Sequence, residues 1–190
     1  AITIFSDDKI YNYRNKIEFS FYWDKELDRL DLAFFKRNTH SKIPVNGTSL
    51  AMEQINTVAR NILEVLRSID GIQAFMLKTL LIRCDQNGKT LAQLYVKKPD
   101  FEQISESQLD SLGIAGFELI FSNPKSPASV ISERLQSWGE TKLSDKILGI
   151  EFTYSVDGFF QINIPVYEQA LSDMKIWLDP KKPIIDLYSG

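Results

Sequence analysis

The sequence predicts an α+β domain built on a mixed, largely antiparallel sheet that passes, near its C-terminal end, into the opening of an α/β unit. Three observations predict it. Apolar and polar residues alternate over 16–23, apolar residues recur at three- and four-residue spacing from Ser49 onward, and Asn87-Gly88 sits between two strand-like segments.

Ile17, Phe19, Phe21 and Trp23 alternate with Lys16, Glu18, Ser20 and Tyr22, the two-residue period of a strand with one buried face. The polar stretch 24–29 turns the chain back into a second strand over 30–36, so a hairpin is the simplest pairing. Leu50, Ile55, Val58, Ile62, Leu63, Val65 and Leu66 fall on one helical stripe, which Ser49 can cap and Gly71 can end. This is the longest predicted helix. A second hairpin is expected from 74–83 and 90–96 around Asp85-Gln86-Asn87-Gly88, because Asn-Gly tolerates the positive φ of a tight turn.

A helix follows over 101–112, ended by Gly113, and then a short strand over 116–121. Asn123-Pro124-Lys125-Ser126-Pro127 has the composition of a loop. Strand-like pieces are expected around 130–135, 140–143 and 150–154, followed by helical spacing over 166–178 that Pro180 and Pro183 break. The expected division is 1–150 for the α+β domain and 151–190 for the start of a second unit. No internal repeat or low-complexity tract interrupts this reading.

Length and composition narrow the function classes. With 190 residues and 44% hydrophobic content, the chain can bury a core without disulfides or metal. One cysteine, Cys84, excludes an intramolecular disulfide and a cysteine-rich metal cage, which suits a reducing cytoplasmic compartment. One histidine, His40, weakens any metal site further, and it is assigned no role. No apolar run reaches the roughly 20 residues that span a bilayer, so no membrane partner is expected. A formal net charge of −3 argues against a polyanion-binding surface over the whole molecule, because such affinity comes from Lys and Arg neutralising phosphates. A local basic face is compatible with it.

Ile184-Ile185-Asp186-Leu187-Tyr188-Ser189-Gly190 has the form of the first strand of a nucleotide-binding α/β sheet, where a glycine just past the strand lets the loop approach a ligand. The same letters also describe an ordinary edge strand. A lone parallel strand leaves its edge groups unpaired, so the sequence is expected to be part of a longer chain.

Tyr13-Arg14-Asn15-Lys16-Ile17-Glu18-Phe19, Phe159-Phe160-Gln161-Ile162-Asn163 and Ile185-Asp186-Leu187-Tyr188-Ser189-Gly190 occur in an order and spacing that resemble the RNA uracil-5-methyltransferase family. Leu32-Ala33-Phe34-Phe35-Lys36 and Leu80-Leu81-Ile82-Arg83 look like its intervening strands, so the resemblance covers nearly the whole chain. It implies a central RNA-facing domain leading into a Rossmann-like donor domain, with S-adenosylmethionine as cofactor and transfer RNA or 23S ribosomal RNA as partner. By motif, Gln161 and Tyr188 would contact the donor: an amide offers two donors and an acceptor, and an aromatic ring offers a face to a sulfonium or an adenine. A loop-closing Gln and a core Tyr are the alternatives.

Arg14 and Lys16 lie one strand pitch apart, a small basic edge able to meet phosphates or simply to face solvent. Phe159 and Phe160 offer a platform to an extruded base, or core packing instead. Lys36, Arg37, Asn38, Thr39 and His40 form a second basic, polar cluster in an expected loop.

The family reaction needs a cysteine thiolate to attack C6 of uracil and a carboxylate to remove the C5 proton. The resemblance places both beyond Gly190, so this piece alone is expected to be inactive. Cys84 shares a strand face with Leu80 and Ile82 and is read as a buried structural thiol. Ser189 stands where relatives usually carry cysteine. The cysteines of an iron-sulfur cluster and the small RNA-binding barrel found in some relatives are absent from this sequence. Two other readings remain: a non-catalytic RNA-binding module with this fold, and methylation of a protein or small molecule, which leaves Arg14 and Lys16 without a purpose.

Overall fold

A computed structural model describes residues 4–126, 128–179, 181–183 and 185. Seven strands form one mixed sheet in the order β3-β2-β1-β4-β5-β6-β7, and β8 and β9 form a separate hairpin. The strands are β1 Lys16–Asp24, β2 Arg29–Phe35, β3 Lys42–Pro44, β4 Leu77–Cys84, β5 Thr90–Val96, β6 Gly116–Phe121, β7 Glu133–Gly139, β8 Lys142–Ile147 and β9 Ile150–Ser155. Among the paired strands of the described residues, only β5 and β6 run parallel; α2, Glu106–Asp110, lies in their crossover. The expected mixed, mostly antiparallel α+β sheet is what the chain adopts.

Alternation decides which face of each strand is dry. Phe19 and Phe21 of β1, Leu80, Ile82 and Cys84 of β4, and Ala92 and Leu94 of β5 pack with Ile55, Ala59, Ile62 and Leu66 of α1, Glu53–Arg67, in the main core. Leu81, Leu91, Tyr95 and Ile120 point the other way and join Leu143, Tyr154 and Val156 in a second, smaller core under the β8–β9 hairpin. That second layer carries the candidate site.

Several elements depart from the sequence reading, each for an identifiable reason. The long helix starts at Glu53 and not near Ser49, because residues 12–14 pair with 49–52: Asn12 and Arg14 donate backbone N–H groups to Ser49 and Leu50 carbonyls at 2.8 Å each. Asn56 reinforces this by accepting from the Thr48 amide and donating to its carbonyl. The expected helix over 101–112 shortens to α2, capped by a Ser105–Gln108 capping box, since the Gln136 amide pairs with both backbone groups of Ile104 and keeps it extended. Strands expected at 130–135 and 140–143 are instead β7 and β8, divided at Gly139, whose φ of +69° only glycine adopts easily. β3 is three residues long, too short for any periodicity.

α3, Ile164–Lys175, begins with Pro165 in its first turn and overlaps the helix expected over 166–178. The expected division at 150/151 falls at the first residue of β9, the partner of β8. The strand expected at 184–188 lies outside the described residues, apart from Ile185. No helix among the described residues is long and apolar enough to cross a membrane.

Candidate functional site

The segment from Ser155 to Asn163 leaves β9, crosses the polar face of the sheet and enters α3. Three residues from β1, β4 and the approach to β1 hold it by its backbone. The Arg83 guanidinium donates through Nη1 to the carbonyls of Ser155 at 2.9 Å and Gly158 at 2.8 Å, and through Nη2 to that of Phe160 at 3.1 Å. Lys16 Nζ donates to the Asp157 carbonyl at 3.2 Å and the Gly158 carbonyl at 3.4 Å. Asn15 donates its side-chain amide to the Gln161 carbonyl at 3.0 Å and its backbone N–H to that of Ile162 at 3.3 Å. Within the segment, the Gly158 amide donates to Ser155 Oγ at 3.1 Å, and a Cβ on Gly158 would crowd that oxygen at 2.8 Å.

Aromatic packing completes the anchor. Phe160 stacks on Tyr154 with ring centroids 3.9 Å apart, and the Arg83 guanidinium lies 4.9 Å from the Tyr154 ring centre on the sheet side. The Tyr154 hydroxyl donates to Asp145, whose other oxygen accepts from the Gln86 amide. Burial first, and then that bond to Asp145, push the Tyr154 phenol well above the ordinary tyrosine range. It stays a neutral donor.

Of the residues singled out from sequence, the structure brings Lys16, Phe159, Phe160 and Gln161 together on this segment. Phe159 is 89% exposed, whereas Phe160 has one ring face against Tyr154. The Gln161 side-chain amide has no hydrogen-bond partner among the described residues, although its carbonyl is held. Lys16 is tied to the segment instead of free in solvent; burial, then the Arg83 guanidinium, hold its ammonium below the usual lysine range. Arg14 pairs by backbone with Ala51 before β1 begins, and Tyr188 lies outside the described residues. The 36–40 cluster is an exposed turn between β2 and β3.

Sequence reasoning missed two features. Lys42, Lys78 and Lys97 join Lys16 along one groove of about 540 Å³ on the same sheet face, together with Glu18 and Asp157. Burial and then Lys97 lower the ammonium groups of both Lys42 and Lys78. These lysines come from three strands and the end of a fourth, so no local run of letters marks them. Arg83 is the second: it ends a predicted strand, but nothing in the sequence showed that it would be 0% exposed.

Cys84 is 0% exposed, and burial pushes its thiol up to about 11. At pH 8 that leaves roughly 100-fold less thiolate than an ordinary thiol with a value near 9. A thiol reagent is therefore expected to label the native chain only at the rate of global unfolding, and fast labelling of folded protein would contradict the structural role.

No protein-family model matches the chain. An uncharacterized RNA methyltransferase of Fusobacterium nucleatum is 28% identical over 206 residues, spanning 98% of this chain and 43% of that protein. Another from Lactobacillus johnsonii is 27% identical over 194 residues, spanning 94% of the chain and 42% of the relative. Over nearly its whole length, this chain is similar to RNA methyltransferases. It spans less than half the length of these relatives. Among solved structures, Pyrococcus abyssi tRNA (uracil-54, C5)-methyltransferase in complex with S-adenosyl-L-homocysteine superposes with a TM-score of 0.70 at 13% identity, over 92% of this chain and 43% of that one. At that identity the likeness shows a shared fold.

Proposed function

We propose that the complete protein uses S-adenosylmethionine to methylate C5 of a uridine in transfer RNA or 23S ribosomal RNA, in the cytoplasm. In this reading residues 1–150 recognise RNA and 151–190 open the donor domain. One observation carries it: a segment fixed at seven carbonyls leaves an outward phenylalanine, Phe159, two residues from a glutamine amide, Gln161, that no described residue satisfies. The donor supplies an electrophilic methyl group on a sulfonium. Gln161 offers two N–H donors and a carbonyl to its charged ends, and Tyr188 an aromatic wall. Phe159 offers the stacking face for an extruded uracil, with Phe160 as its anchor to the hairpin. Arg14, Lys16 and the lysine groove supply positive charge for phosphates, on a chain whose net charge is −3.

Cys84 is not suited to be the nucleophile, since it is buried and protonated, so the 190-residue chain on its own is expected to transfer no methyl group. In the complete protein, Gln161→Ala is expected to weaken S-adenosylhomocysteine binding about 10-fold, the size of one or two lost hydrogen bonds. Arg14→Ala is expected to weaken RNA binding and lower its salt slope by about one, with donor affinity unchanged. Titration calorimetry and filter binding read the two. Unchanged donor binding in the first variant, or unchanged RNA binding in the second, would remove that residue from the proposed site.

A further inference from the structure

Arg83 is the bulkiest fully buried side chain of the described residues and has no ion-pair partner among them. An isolated buried guanidinium loses several kcal/mol of hydration, so the structure must return a comparable interaction or hold something that an apolar side chain could not. It returns carbonyls of a single segment. Those of Ser155, Gly158 and Phe160 lie within 3.1 Å, and that of Val156 at 3.4 Å. Four carbonyl dipoles aimed at one point repel one another unless a cation sits there, so the path of the segment depends on Arg83.

The two carbonyls on either side of Phe159, those of Gly158 and Phe160, are both among these acceptors, and Gln161 follows directly. We infer that Arg83 is a positioning residue that couples the nucleobase contact at Phe159 to the donor contact at Gln161, because one buried cation fixes the backbone carrying both. The inference rests on the proposed roles of those two residues. Lys16 holds the same segment at Asp157 and Gly158, before Phe159, and Asn15 holds it at Gln161–Ile162, after Phe160; of the three, Arg83 alone binds carbonyls on both sides of Phe159 and reaches the residue that precedes Gln161.

Four variants of the full-length protein test the coupling: Phe159→Ala, Gln161→Ala, Arg83→Met and Arg83→Lys. Binding is measured to S-adenosylhomocysteine and to in-vitro transcribed, unmodified transfer RNA and 23S ribosomal RNA. Phe159→Ala is expected to weaken RNA binding alone and Gln161→Ala donor binding alone, each about 10-fold, as the loss of one stacked base or one amide contact implies. Arg83→Met is expected to weaken both by about 10-fold or more. Arg83→Lys is expected to recover part of each loss, because an ammonium still reaches some of the carbonyls. If Arg83→Met fails to fold, Arg83→Lys decides: both affinities reduced, with faster hydrogen exchange at residues 157–162 and unchanged exchange in β8–β9, supports the coupling. Arg83 variants that leave either affinity unaltered, while Phe159→Ala and Gln161→Ala each show their own loss, would overturn the coupling alone. No effect from Phe159→Ala and Gln161→Ala would overturn the proposed site and the coupling with it.

Discussion

Arg83→Met is expected to lower the unfolding free energy of the 190-residue chain by about 3–5 kcal/mol, the largest loss from any single polar position. The substitution keeps apolar bulk but removes the donor from four carbonyls. A charged hydrogen bond contributes about 1.5–3 kcal/mol and a buried unsatisfied group costs about 1–3 kcal/mol, and the methionine's own burial offsets part of the sum. Urea unfolding checks it: the midpoint falls while the slope against denaturant stays constant. A loss under about 1 kcal/mol would mean that solvent already satisfies those carbonyls and that the segment keeps its path without the cation.

Phe19→Ala is expected to remove a similar amount, about 3–5 kcal/mol, by a different mechanism. Phe19 is 0% exposed at the centre of β1, pairs across to Leu80 and stacks on Phe34 at 5.2 Å between ring centres. Its removal opens a cavity in the core it shares with Ile55 and Ile62 of α1, and close packing limits how far the neighbours collapse into the space. Phe34→Ala is expected to lose clearly less, since Phe34 is only partly buried and lies at the edge of the same core. Equal losses from the two substitutions would show that the cavity is relieved by rearrangement.

The contrast between these two residues explains how far the sequence could be read. Phe19 was legible because strand alternation with Ile17 and Phe21 assigns it to the dry face, and that rule needs only neighbours two residues away. Arg83 was legible as a strand residue but not as a buried one, because its partners lie more than 70 residues downstream. Long polar side chains are ordinarily exposed, and only tertiary placement of the β8–β9 hairpin reverses that rule here. The start of α1 was misplaced for a related reason: Ser49 is a good capping residue, yet pairing of 49–52 with 12–14 takes its backbone first.

The candidate site divides the same way. Phe159, Phe160 and Gln161 were found as a motif, and the structure adds that the three rest on one clamped segment with different exposures. The lysine groove was invisible because its four members are spread from position 16 to position 97. The apolar spacing of α3 was visible, but among the described residues only Ile164 of that helix is buried.

The most direct measurement is methyl transfer from labelled S-adenosylmethionine to unmodified transfer and ribosomal RNA by the complete protein, followed by nucleoside analysis of the product. Label in 5-methyluridine, lost with Gln161→Ala and absent from reactions of the 190-residue chain alone, is the expected result. Label in another nucleoside or in protein, or no label in RNA that the protein nonetheless binds, would contradict the proposed function.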